Sequence, residues 1–177
     1  MDILDGTELR AQLEEHHASS FGWALNCCSY NDTEAKDVLQ TVYLKILDGR
    51  ARFKGQSSFK TWLFSVIRNT AADERRRRWF RFVGLAKFAK ESTDDAACCQ
   101  HEDGDDASEM SKWLQAQLAR LSKRQREILH LVFYQEMTLE MAAGVMGVSI
   151  GSARTHYDRG KHNLRKLLAD SEMHYEK

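Results

Sequence analysis

Not one of the 177 residues is proline, and no other feature restricts the fold as much. Proline removes a backbone donor and clashes with the preceding helical turn, so it ends helices and punctuates loops. It ordinarily makes up about 5% of a chain. A chain without it suits long helices joined by soft connectors. Alternating β-branched runs bounded by turn residues are missing as well. The expected fold class is all-α, and the length suits one ordinary domain or two small ones.

Apolar spacing places the helices. A first stretch, about Thr7 to Cys28, carries Leu9, Leu13, Phe21, Leu25 and Cys28 near one face. Asn31, followed three residues later by Glu34, is a cap signal. The helix it opens holds Val38, Val42, Leu44, Ile46 and Leu47, and Gly49 stands where a C-cap would end it. After the polar loop Phe53 to Ser58 comes a long helix with Phe59, Trp62, Leu63, Val66 and Ile67 on its apolar side and Arg75 to Arg78 at its far end. Periodicity then dissolves until Trp113, Leu114, Leu118 and Leu121. Ser122 and Gln125 read as a capping box for a helix holding Ile128, Leu129, Leu131, Val132 and Phe133.

Formal net charge is zero, yet the charges are unevenly placed. Residues 1–83 carry 13 Lys+Arg against 11 Asp+Glu, residues 84–110 carry 2 against 8, and residues 111–177 carry 11 against 7. Two basic blocks around an acidic one suggest two nucleic-acid-facing units and a solvated, flexible connector. The expected domains are therefore 1–83 and 111–177, with an acidic linker at 84–110.

Residues Thr138 to Lys161 read as a helix-turn-helix, followed by a basic tail helix to about Leu168. Thr138 caps a first helix, Leu139 to Met146, with the small residues Ala142 and Ala143 where two helices would cross. Gly147-Val148-Ser149 supplies the turn, and Ser149 caps the second helix. Val148, Ala153 and Tyr157 give that helix an apolar side. Ser152, Arg154, Thr155, His156, Arg159 and Lys161 form the other side, suited to base edges and phosphates.

The segment Phe53 to Phe82 mixes aromatics with cations: Phe59, Trp62 and Phe64 beside Lys54, Lys60 and Arg68. Unpaired bases stack on aromatics while cations track phosphates, so the mixture suits single-stranded DNA. Core burial is the plainer expectation for any one of the three aromatics. The four arginines suit either a solvated face or phosphate contact.

Phe53 to Asn69 resembles region 2 of the extracytoplasmic-function sigma factors, sigma-70-type bacterial initiation factors. Asp37 to Lys45 resembles the same family's core-polymerase-binding helix, and Leu121 to Leu167 resembles its region 4. The resemblance implies an alternative sigma factor. It implies docking on core RNA polymerase, at the β′ clamp helices and the β flap, with Asp37, Gln40, Leu44 and Lys45 meeting the clamp. Lys54, Phe59, Lys60, Trp62, Asn69, Asp73 and Arg76 would open the −10 element and hold a flipped non-template base. Ser152, Arg154, Thr155, His156, Arg159 and Lys161 would serve the −35 element of promoter DNA. An anti-sigma factor is a further expected partner. Many family members carry a DNA-touching arginine just before the helix-turn-helix; here that neighbourhood reads Leu131-Val132-Phe133-Tyr134.

Two other function classes compete. A stand-alone helix-turn-helix regulator would bind duplex operators without polymerase. A metal or redox switch would be built on the pairs Cys27-Cys28 and Cys98-Cys99, with Cys98, Cys99 and His101 able to hold a metal with help from His16 or His17. That spacing is not a standard zinc pattern, and free thiols are the simpler expectation. No catalytic constellation or phosphate loop marks an enzyme, and no cofactor is called for. The acidic, polar start is not a signal peptide, and no apolar run approaches the roughly 20 residues of a membrane span. A cytoplasmic protein without membrane insertion is expected.

Overall fold

The computed structural model describes residues 5–86 and 109–175. Among the described residues every regular element is helical and none is a strand. The chain divides into two compact units, Met1–His101 and Glu102–Lys177. The expected linker 84–110 lies largely outside the described residues, as do Cys98, Cys99 and His101.

Unit 1 holds α1 (Gly6–Glu15), α2 (His17–Cys27), α3 (Asp32–Leu47) and α4 (Phe59–Ala86). The expected single first helix is two, interrupted at His16, whose ring stacks on Phe59 with centroids 6.0 Å apart. No glycine or proline marks that break, so a tertiary contact accompanies what periodicity did not announce. Asp5 caps α1 by accepting from the amides of Thr7 and Glu8, both at 2.8 Å. Asn31 caps α3 as expected, accepting from the Glu34 amide at 2.9 Å. Gly49 follows α3 with a left-handed φ of 69°.

The core of unit 1 lies where α2, α3 and α4 meet. Trp23, Ala24, Val38, Val42, Leu63, Phe64 and Ile67 are buried there. Fully burying one large side chain contributes about 1.5–3 kcal/mol. Trp23 also satisfies its ring N–H, donating to the Phe64 carbonyl at 2.9 Å, while its ring lies nearly parallel to that of Phe64. Leu44 and Leu47, counted among the apolar residues of α3, are more than half exposed. Cys27 and Cys28 are buried and take part in no disulfide.

Unit 2 holds α5 (Glu109–Ala119), α6 (Lys123–Leu129), a π-helical turn (His130–Tyr134), α7 (Leu139–Met146) and α8 (Ile150–Tyr175). The second helix of the helix-turn-helix and the expected tail helix are one continuous helix. Ile128, Leu129, Leu131, Val145, Met146 and Ala153 are buried at its centre. Ser122 is the N-cap residue of α6, but its side chain makes no cap hydrogen bond. Its expected partner Gln125 instead accepts from Asn163 of α8 at 3.2 Å. The π-helical turn changes the residue spacing after α6, and Phe133, expected on the apolar side, is 62% exposed.

No helix among the described residues is long and apolar enough to cross a membrane.

Candidate nucleic-acid interfaces

In unit 1 the loop before α4 folds on itself to present the start of that helix. Gly49 and Gly55 both take left-handed φ values, and Arg52 donates from Nε to the Gly49 carbonyl at 3.0 Å. Ser58 caps α4: its hydroxyl accepts from the Thr61 amide at 3.2 Å and pairs with the Thr61 hydroxyl at 2.8 Å. Phe53, Phe59 and Trp62 then pack into a ring cluster with centroids 5.3 to 5.5 Å apart. Phe59 is buried at its base, whereas Trp62 is partly exposed. Lys54 is exposed, and Lys60 sits with its ammonium 5.6 Å from the Phe64 ring centre.

Helical geometry orders the other candidates. At 100° per residue, Trp62, Asn69, Asp73 and Arg76 fall within a narrow stripe along α4, opposite the buried Leu63, Ile67 and Ala71. Asn69 and Arg76 are exposed, and Arg76 donates to Asp73 at 2.9 Å. Lys54 and Phe59 stand off that stripe, on the loop and in the ring cluster. Arg78 forms a two-pronged ion pair with Glu34, which ties the far half of α4 to the start of α3. These two residues are 44 positions apart, so no local sequence signal announces the pair.

On α3, Asp37, Gln40 and Leu44 share one exposed face by their spacing of three and four. Lys45 departs from that face: its ammonium donates to the Thr70 hydroxyl of α4 at 3.0 Å. Beside Gln40 and Leu44 runs an apolar cleft of about 440 Å³ between α2 and α3, lined also by His17, Phe21, Tyr43 and Leu47. Nδ1 of His17 and the Tyr43 hydroxyl lie 2.9 Å apart. Burial pushes the Tyr43 phenol above its usual pKa, against a smaller lowering by a hydrogen bond with Ser20. Sequence reading found the exposed face but not the cleft, because α2 was not paired with α3 in advance.

In unit 2 the local chemistry follows expectation closely. Thr138 accepts from the Met141 amide at 3.2 Å, and Ser149 accepts from the Ser152 amide at 3.2 Å. Gly147 ends α7 in the left-handed region, with φ 62°. Its neighbour Val148 returns a hydrogen bond to the Ala143 carbonyl at 3.1 Å, the closing bond of a glycine-terminated helix. Ala142, Ala143 and Ala153 are buried where α7 and α8 pack.

The six candidates on α8 are distributed over its outer surface in two lines with one residue between them. Ser152, His156 and Arg159 follow one line, and Arg154 and Lys161 follow another with Asp158 between them. Thr155 lies between the two lines and back-bonds to the Gly151 carbonyl at 3.0 Å. Ser152, Arg154, Thr155 and Arg159 are exposed, and His156 and Lys161 are partly so. Lys161 reaches Asp158 at 3.7 Å and stands 4.2 Å above the Tyr157 ring. Tyr157 in turn stacks on Phe133 of the π-helical turn, centroids 5.8 Å apart. That aromatic-cation stack was missed, since Phe133 was assigned to the interior.

The family model for Sigma-70 region 2 matches residues 13–81, and that for Sigma-70, region 4 matches residues 117–166. The ECF RNA polymerase sigma factor SigX of Bacillus subtilis (strain 168) is 31% identical over 147 residues, which cover 78% of this chain and 71% of SigX. The RNA polymerase sigma factor YlaC of the same organism is 29% identical over 138 residues, 77% of this chain and 79% of YlaC. In fold, the chain is similar to the sigma factor RpoE of Bartonella quintana, solved in complex with the anti-sigma factor NepR. That likeness has a TM-score of 0.70 at 24% identity and covers 91% of this chain and 96% of the other. With both conserved regions matched in order and SigX aligned over most of its length, the chain belongs to the ECF group of sigma-70-type RNA polymerase sigma factors.

Proposed function

We propose that this protein is an alternative sigma factor that joins core RNA polymerase and directs it to promoters by two separate grips. The observation that carries the reading is the partly to fully exposed stripe Trp62, Asn69, Asp73 and Arg76 on α4, present in one chain with a capped helix-turn-helix. Unpaired bases need a partly exposed aromatic edge with polar groups and cations alongside, and the stripe offers that combination. Trp62 and Asn69 receive a flipped base of the −10 element, and Arg76 holds backbone phosphate. The exposed cations Arg154 and Arg159 enter the duplex groove at the −35 element.

Base pairs must be unstacked before a template strand is usable, at a few kcal/mol per extruded base. A pocket that captures one flipped base offsets that cost only at the right sequence, so recognition and opening become one event. The face of Asp37, Gln40 and Leu44, with the adjoining cleft, receives the β′ clamp helices. Lys45, held by Thr70, braces that face rather than projecting from it. The β flap of the polymerase and an anti-sigma factor are further partners, and the cytoplasm is the compartment where these partners work.

Run-off transcription with purified core polymerase on genomic fragments tests the reading. Discrete start sites that depend on the protein are the expected result. Duplex binding without any association with core polymerase would leave a stand-alone regulator instead.

A further inference from the structure

Beyond Ala71, α4 continues for fifteen residues to Ala86. Its exposed part carries Trp79, Phe80 and Phe82, which are 64%, 65% and 56% exposed. Single exposed apolar residues are ordinary, but three large aromatics within four positions, set among Arg75 to Arg78 and Arg81, are a patch. Their directions differ. Phe80 continues the stripe of Trp62, Asn69, Asp73 and Arg76, about 16 Å along the axis from Asn69. Trp79 and Phe80 are also the two residues that follow Arg76 by three and four positions, so both flank its guanidinium on the helix surface. Phe82 faces elsewhere.

We propose that Trp79 and Phe80 form a second stacking platform for promoter DNA, built around Arg76 and about 16 Å beyond Asn69 along the α4 axis. This inference rests on the reading of α4 as the −10 grip. Charge selects the occupant: Arg76, Arg77 and Arg78 pair with Asp73, Glu74 and Glu34, and Arg75 and Arg81 add to them, so the patch stays net positive and favours a polyanion. An interfacial membrane helix gathers its apolar residues on one face and its cations on the other. Here Arg75 and Arg76 lie within about 60° of Trp79 around the helix, beside the rings, while Arg77, Arg78 and Arg81 lie on the opposite side. Cations and rings side by side suit a nucleic-acid strand, which presents phosphates and base faces together. The ion pair from Arg78 to Glu34 anchors this end of α4 to α3, so the rings are offered on a fixed rod.

The test uses the full chain bound to core polymerase, with a fluorescein-labelled single strand that carries its −10 element and flanking nucleotides. The double variant Trp79→Ala, Phe80→Ala is expected to lower affinity about tenfold or more, since each stack contributes on the order of 1–3 kcal/mol. The double variant Trp79→Phe, Phe80→Tyr is expected to keep the affinity. The alanine pair is expected to leave the salt dependence of binding unchanged, whereas Arg76→Gln reduces its slope by about 0.7. Binding to phosphatidylserine vesicles and to core polymerase is measured on the same variants. Unaltered strand affinity in the alanine pair overturns the proposal. A loss confined to vesicles or to core polymerase overturns it too, and assigns the patch to a membrane or a protein. If the unsubstituted holoenzyme fails to bind the strand, the −10 reading of α4 falls and this inference with it.

Discussion

Acidification is expected to loosen unit 2 through one side chain. His130 opens the π-helical turn, its ring 5.0 Å from that of Tyr134 and its Nε2 3.3 Å from the Gln135 amide nitrogen. Burial holds its pKa down, at about 4 against the usual 6.5. A histidine with a lowered folded pKa binds fewer protons folded than unfolded, so its contribution is complete above 6.5 and is lost as pH falls towards 4. The full effect of such a shift is about 3 kcal/mol, and between pH 7.5 and pH 5 about 2 kcal/mol is lost. Urea unfolding followed at the Ile128 and Ala153 amide resonances reports on unit 2 alone. The comparison is the pH dependence of the native chain against that of His130→Gln, so titration of every other group cancels. The variant is expected to show a pH dependence shallower by about 2 kcal/mol over this interval. Equal slopes in the two proteins, or an imidazole that titrates near 6.5 by NMR, would refute the reasoning.

Four further outcomes are expected. Trp23→Ala removes a fully buried ring and its bond to Phe64, and should destabilise unit 1 by about 3–5 kcal/mol in denaturant titration. Gly147→Ala meets no atom within 4 Å, so its cost is that of a left-handed backbone alone, about 1–2 kcal/mol in the same assay applied to unit 2. Asn69→Ala should impair promoter opening more than closed-complex binding, and normal permanganate reactivity at the −10 element would contradict it. Arg159→Ala should weaken binding chiefly through the −35 element, so undiminished discrimination between −35 variants would count against its placement.

How far residues alone could be read depended on whether each structure is local. The helix-turn-helix was legible almost atom by atom, because caps, a left-handed glycine and small crossing residues all act within ten positions. Asn31 was legible for the same reason. The break at His16 was not, because its contact is Phe59, on another helix. Ser122 and Gln125 satisfied the capping pattern, but Asn163 of α8 engages the glutamine. Phe133 had the right spacing for an interior residue until a π-helical turn changed the register. At the candidate site, exposure follows helical period well on α4, while the bond from Lys45 to Thr70 is not legible in the sequence because its acceptor lies on a different element. The pattern of one's own helix predicts which way a side chain points, and only the packed neighbour decides what it meets there.

These magnitudes bear on why two grips share one chain. Extruding a base costs a few kcal/mol, and one aromatic stack returns about 1–3 kcal/mol. On the proposed reading, the stripe on α4 therefore comes close to balancing a single flipped base but cannot open a run of pairs by itself. Opening has to draw on interactions that are in place before any pair breaks. On the same reading, α8 supplies such interactions in duplex form, at roughly 1–3 kcal/mol of discrimination per well-matched base contact. A second stack at Trp79 and Phe80 would shift this balance by a further increment of the same size. Promoters with a poor −35 element are then the ones on which loss of those two rings should tell most. On a strong −35 element the same loss should be partly masked, and in vitro initiation from the two promoter types, compared for the alanine pair, measures that dependence directly.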